Sequence, residues 1–231
     1  MSASQLTKPG QAPARLPAVE PWHPGLRGFY RFTHFVMSTV ARLYCRREVI
    51  GLEHFPPSGP ALILPTHSSF IDPPMVGAAL NREIYALSRA EILEVPLLGW
   101  LCRRFYHGVP IRRGGGDREA LRLCRRILRA GWPLLYFPEG QRTPTGTMQP
   151  LQRGWILILD DLPGVPWIPV QMQSTYHIMR RGQLFPRPRK LRIVFGKPRP
   201  LPERRPGENS RQWHARCNAE LEQALRDLGA V

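Results

Sequence analysis

Apolar positions along this chain follow two periods. Short runs dominated by apolar residues occur at 61–64, 84–87, 134–137, 167–172 and 191–195. Their length and their Gly and Pro flanks predict buried strands. Between them, apolar residues recur at three- and four-residue spacings, the mark of a helix with one buried face. One such segment follows Asp117 and ends before Gly131, with Ala120, Leu121, Cys124, Ile127 and Leu128 inward and Arg118, Arg122, Arg125 and Arg129 as an exposed stripe. Another starts at Ser210, carries Trp213, Cys217, Leu221, Leu225 and Leu228, and stops at Gly229. Asp72-Pro73-Pro74 predicts a third helix start, with Asp72 as N-cap and proline at the first helical position. Strands alternating with helices predict an α/β fold: a mostly parallel or mixed central sheet with helices on both faces.

Residues 26–47 have a different pattern. Leu26, Phe29, Tyr30, Phe32, Val36, Met37, Val40, Leu43 and Tyr44 form a broad apolar face, and Arg27, Arg31, His34, Ser38 and Arg42 a polar stripe. Aromatics opposite arginines suit an amphipathic helix lying in a membrane interface. The same face would also serve to pack the helix on the core. Residues 1–24, rich in proline, predict a disordered tail. The chain therefore divides into a tail at 1–24, an amphipathic membrane-associating helix at 25–48 and an α/β domain at 49–231. Pro96 and Gly99 break any long helix across 92–104, and Gly114–Gly116 predicts a flexible loop.

Composition adds one strong constraint. The chain of 231 residues has 33 Lys and Arg against 17 Asp and Glu, a formal net charge of +16. Such a surface attracts anionic partners, nucleic acid or an anionic bilayer, and steers anionic substrates inward. No nucleic-acid-binding motif accompanies it. Cys45, Cys102, Cys124 and Cys217 are scattered, without metal-ligand spacing, and read as reduced residues of a cytoplasmic protein. No metal site is expected. No stretch reaches the roughly 20 apolar residues of a membrane-spanning helix.

Chemistry collects just past the strands. His67 and Asp72 lie between the run at 61–64 and the Asp-Pro-Pro helix start. A turn there lets the carboxylate reach the imidazole and orient it as a general base; the alternative is a capping Asp beside a hydrogen-bonded loop His. The run at 134–137 ends in Pro138-Glu139-Gly140-Gln141-Arg142-Thr143. The carboxyl edge of an α/β sheet is where ligands bind, and a guanidinium fork there grips phosphate with two hydrogen bonds. Gly140 permits a tight turn beside a ligand.

Four islands carry a resemblance: His-x4-Asp at 67–72, Gly-x-x-Ile-x-Arg at 108–113, Phe-Pro-Glu-Gly-x-Arg at 137–142 and Val-Pro-x-Ile-Pro-Val at 165–170. In this order and spacing they resemble the glycerolipid acyltransferase family, whose type member is 1-acylglycerol-3-phosphate acyltransferase. The lead-in Gly51-Leu52-Glu53-His54-Phe55-Pro56 with Gly59-Pro60 is similar too. The resemblance covers roughly residues 50–200 and implies the glycerol-phosphate acyltransferase-like fold. It implies transfer of a fatty acyl group from acyl-CoA or acyl-carrier protein to a lysophospholipid, at the cytoplasmic face of the cell membrane. No cofactor beyond the donor substrate and no nucleic acid is expected, and an anionic membrane surface is the expected partner.

On that reading His67 is the base and Asp72 fixes its tautomer. Arg113 and Arg142 bind the acceptor's phosphate. Glu139 holds Arg142 or the glycerol backbone, and Pro169 shapes the acyl site. Ser68 and Ser69 lack a nucleophile elbow and fit turn hydrogen bonds instead. The chain departs from the family in having Thr66 before the His, Arg112 beside Arg113, Gln141 and Thr143 in the third island, and Trp155 beyond it, which either narrows an acyl channel or packs in the core. These departures leave the acceptor open among 1-acylglycerol-3-phosphate, glycerol 3-phosphate, lyso-ornithine lipid and other lysolipids. The non-enzymatic alternative is a basic membrane-surface binding protein.

Overall fold

The computed structural model describes residues 24–89, 109–111, 117–180, 182–183 and 185–231. The expectations for the tail, for 92–104, for Gly114–Gly116, and for Cys102, Gly108, Arg112 and Arg113 lie outside these residues. Helix α1 spans Pro24–Tyr44, followed by β1 (Glu48–Ile50) and a single 3₁₀ turn. Then come β2 (Leu62–Pro65), α2 (Asp72–Ala79), β3 (Tyr85–Arg89), β4 (Val109–Ile111) and α3 (Asp117–Arg129). The chain continues through β5 (Leu134–Leu135), α4 (Gly154–Leu159), β6 (Trp167–Gln173), α5 (Thr175–Ile178), β7 (Arg192–Phe195) and α6 (Ser210–Asp227).

The strands form one sheet in the order β1-β7-β6-β2-β5-β3-β4. Strands β6, β2, β5, β3 and β4 are mutually parallel, and β7, with β1 beside it, runs opposite to β6. The sheet is therefore mixed, with helices on both faces, as its alternating pattern requires. Successive residues of β2 serve opposite cores. Leu62 and Leu64 point into a cluster with Ile127, Trp155, Trp167 and Leu221, whereas Ile63 joins Met75, Val76, Ile168 and Phe195. This period of two is why β2 has no polar residue: both its faces are covered.

One exposure reading changes. Arg125 does not belong to the exposed stripe of α3; its guanidinium donates to the Leu157 carbonyl and pairs with Asp161, fastening α3 to α4. In α1 the middle of the polar stripe faces the protein. His34 Nε2 donates to the Leu80 carbonyl (2.9 Å), and Ser38 and Arg47 donate to the Ala78 carbonyl (3.4 and 2.6 Å). These are the carbonyls that the end of α2 leaves without helical partners. The apolar side of α1 turns outward: Phe32 is 63% exposed, Phe35 66% and Leu43 74%. Among the described residues, no helix is long and apolar enough to cross a membrane.

Candidate active site

The order of the sheet brings two islands together. β2 and β5 are adjacent and parallel, so the loops after Pro65 and Leu135 leave the same edge side by side. His67 stands on the first. Its Nδ1 donates to Asp72 Oδ2 at 3.0 Å, and its ring stacks on Phe137 with centroids 3.9 Å apart. Asp72 is fully buried. The same Oδ2 accepts the backbone N–H groups of Ser68 and Ser69, each at 2.7 Å.

Asp72 is not the N-cap. That position is Ile71, with no side-chain cap bond, and Asp72 is already helical. The next two residues, Pro73 and Pro74, have no N–H to offer a capping oxygen. The carboxylate turns back instead to the loop it follows, which fixes the His67 tautomer and leaves Nε2 as the acceptor nitrogen.

The backbone of His67 is gripped from the second loop. Its N–H donates to Glu139 Oε1 at 2.6 Å, and its carbonyl accepts from the Thr143 N–H at 2.9 Å. Glu139 Oε2 accepts from the Gln149 N–H at 2.7 Å. Both carboxylate oxygens of Glu139 thus hold backbone, a role the sequence did not suggest for it. Gly140 has a φ of +69°, a conformation that glycine adopts without cost, and it reverses the chain directly after Glu139. Arg142 lies with its guanidinium 5.9 Å from the ring of Phe70, which places it at the mouth of the same loops.

Burial pushes the Glu139 carboxyl up to about 7; the two backbone N–H donors hold it back, and the Asp72 charge raises it further. Folded Glu139 keeps its proton to higher pH than unfolded Glu139. Its contribution to stability is therefore full below the ordinary value of 4.5 and is lost as pH rises through about 7. Thermal melts across that window should show wild type losing ground to Glu139→Gln by up to about 1.4 kcal/mol per pH unit. A constant difference between the two proteins would contradict the shifted carboxyl.

The structure thus joins His67, Asp72, Glu139, Gly140 and Arg142 at one edge. Pro169 is buried within β6, its ring against the backbone of Gly196, where an added Cβ would lie 2.6 Å from Pro169 Cγ. It therefore has a packing role in the sheet. Trp155 is fully buried, set edge-on to Trp167 at 5.6 Å with its N–H on Asn218 Oδ1, so core packing accounts for it. Ser69 Oγ accepts the Ile71 N–H at 3.4 Å, a turn hydrogen bond, and also donates to the distant Met179 carbonyl. Sequence reasoning missed Thr143, Gln149 and Gln171. Gln171 accepts the Thr66 hydroxyl at 2.8 Å, and Thr66 Oγ1 accepts the Met172 N–H, bracing the residue before His67 against β6. The one available signal was a polar residue inside an otherwise apolar strand.

Residues 46–173 match the family described as Acyltransferase. The chain is 27% identical over 159 residues to the chloroplastic 1-acyl-sn-glycerol-3-phosphate acyltransferase BAT2 of Brassica napus, covering 66% of this chain and 45% of that one. It is 22% identical over 173 residues to the 1-acyl-sn-glycerol-3-phosphate acyltransferase of Bacillus subtilis, covering 73% and 81%. The chain spans about half the length of the plant and algal relatives it matches. Among solved structures, the 1-acyl-sn-glycerophosphate (LPA) acyltransferase PlsC of Thermotoga maritima shares the fold, with a TM-score of 0.66, 22% identity and 89% of each chain covered. Because the family match takes in more than half of the 231 residues and includes both loops that build the His67 site, this chain belongs to the acyltransferase family.

Proposed function

We propose that this protein transfers a fatty acyl group from a thioester donor, acyl-CoA or acyl-carrier protein, to the free hydroxyl of 1-acylglycerol-3-phosphate, giving phosphatidic acid. The observation that carries the reading is the His67–Asp72 pair, 3.0 Å apart at the carboxyl edge of β2. His67 Nε2 takes the proton of the acceptor hydroxyl as its oxygen attacks the thioester carbonyl. Asp72 stabilises the imidazolium that forms. Collapse of the tetrahedral adduct breaks the C–S bond, and the imidazolium returns the proton to the departing thiolate. The names of the family's relatives support the acceptor.

Labelled acyl-CoA and acyl-carrier protein, each offered with a panel of lysolipids and glycerol 3-phosphate, test the proposal. Product only with 1-acylglycerol-3-phosphate supports it. Preference for another acceptor would overturn the substrate, and transfer to none would favour a binding protein. Arg142 is proposed to hold the acceptor's phosphate, with Arg113 as its partner from the second island. Arg142→Lys keeps the charge but loses the fork, so it should raise the apparent KM for the acceptor several-fold more than that for the donor. Equal effects on the two substrates would remove Arg142 from the acceptor site.

The acceptor is a lipid, and exposing its chain to water costs about 0.8 kcal/mol per methylene. The outward apolar face of α1 offers a way to avoid that cost: it rests in the headgroup region of a membrane while the acceptor's tail stays in the bilayer. Because Phe32 and Val36 are exposed, changing them to serine together with Phe29 should release the protein from vesicles without lowering its melting temperature by more than a few degrees. A variant that stays on vesicles but melts far earlier would instead make α1 a core element.

A further inference from the structure

One cleft among the described residues lies apart from the catalytic loops. Arg46, Ser174, Arg187, Pro188, Arg189 and Lys190 line an open, solvent-facing cleft of about 570 Å³. Strand directions place it. Ser174 follows β6, which is parallel to β2; Lys190 precedes β7, which runs opposite to β6; and Arg46 precedes β1, which is parallel to β7. All three ends therefore emerge at the sheet edge that carries His67.

The cleft collects four cations. Glu48 answers Lys190 at 2.8 Å but also engages Arg192 at 3.0 Å. Among the described residues, Arg46, Arg187 and Arg189 have no carboxylate partner. Arginines gathered without counter-charge repel one another and focus a positive potential that an anion relieves. One rim of the cleft is apolar. Tyr44, at the end of α1, donates its hydroxyl to the Pro186 carbonyl at 2.8 Å, and the neighbours of this pair, Leu43 and Phe185, are 74% and 83% exposed. The cleft thus continues from the outward face of α1. Guanidinium groups beside exposed aromatic and aliphatic side chains match a phosphate headgroup with its hydrocarbon adjacent. A soluble phosphate would need no such rim.

We propose that this cleft holds the phosphate of an anionic glycerophospholipid of the bilayer, a lipid that is not being acylated, and so fixes the catalytic edge toward the membrane. The inference rests on the proposal that the protein works on a lipid acceptor at a membrane surface. Co-sedimentation with vesicles of phosphatidylcholine alone, or of phosphatidylcholine with phosphatidylglycerol, separates the two. Wild type should bind the anionic vesicles on the order of tenfold more tightly, since each basic residue near the surface contributes. Arg187→Gln/Arg189→Gln should lose most of this preference, bind at the wild-type level on phosphatidylcholine, and keep its melting temperature. Arg118→Gln/Arg122→Gln removes the same charge from the exposed face of α3 and should keep the preference.

An undiminished preference in Arg187→Gln/Arg189→Gln, or an equal loss in the α3 variant, would overturn the cleft. Suppression of the preference by millimolar inorganic phosphate or coenzyme A, with a raised donor KM in Arg187→Gln/Arg189→Gln, would make the ligand a soluble phosphate and overturn the lipid assignment. The serine variants of α1 lose binding to both kinds of vesicle if the α1 reading holds. If they still bind while the cleft variant loses its preference, the α1 reading fails and the cleft stands.

Discussion

His67→Ala is expected to lower acyl transfer by about a hundred- to ten-thousand-fold, the usual cost of losing a positioned general base. The fold should survive. The imidazole is 17% exposed, its one hydrogen bond among the described residues is to Asp72, and the backbone bonds from Glu139 and Thr143 do not depend on the side chain. The substitution removes a ring stacked on Phe137, so a small fall in melting temperature accompanies the kinetic loss. Turnover near wild type, measured with acceptor saturating, would exclude His67 as the base.

The second large effect is at Asp72, and it has two parts that separate. In Asp72→Asn the side-chain oxygen still accepts from Ser68 and Ser69, but a neutral amide cannot stabilise the imidazolium, and a loss of about a thousand- to ten-thousand-fold in kcat is expected. The amide also brings a new N–H₂ group. With the oxygen kept on Ser68 and Ser69, it lies at the position of Oδ1, which is buried and has no partner among the described residues. An unsatisfied buried donor costs about 1–3 kcal/mol, roughly 2–12 °C in melting temperature for a chain of this size. Kinetics at a temperature where both proteins are folded separate the two parts. Normal kcat there, with only the melting point lowered, would make Asp72 a loop anchor and nothing more.

Much of this was legible in the chain, and the failures have particular causes. The strands at 62–65 and 167–173 could be read because both faces of the sheet are covered, which leaves their runs apolar. The His67–Asp72 pair could be read because its spacing sits at a strand-to-helix turn. Asp72 as N-cap failed because the helix starts one residue earlier than the sequence suggests: Ile71 is the N-cap, Pro74 offers no N–H, the Met75 N–H goes to the Ile71 carbonyl, and the Asp72 carboxylate goes to the His67 loop. Periodicity gave both faces of α1 but could not say which one meets the protein. That was decided by the free carbonyls of Leu80 and Ala78 at the end of α2, which call for donors, so His34 and Ser38 turn inward, joined by Arg47 from just beyond the helix. Arg125 was misplaced for a similar reason, since its partners Leu157 and Asp161 lie far along the chain. Glu139 was found by its place past a strand, yet its bonds to His67 and Gln149 follow from β2 and β5 being neighbours, which local pattern does not state.

Direct attack by the acceptor hydroxyl, with His67 as base and no acyl-enzyme, is tested most closely by a single-turnover quench. Enzyme in excess is mixed with labelled acyl-CoA, with and without 1-acylglycerol-3-phosphate, and acid-stopped over time. Thiol release that depends wholly on the acceptor, label appearing only in phosphatidic acid, and no label on protein is the predicted result. A stoichiometric burst of coenzyme A without acceptor, with label retained on the polypeptide, would contradict it.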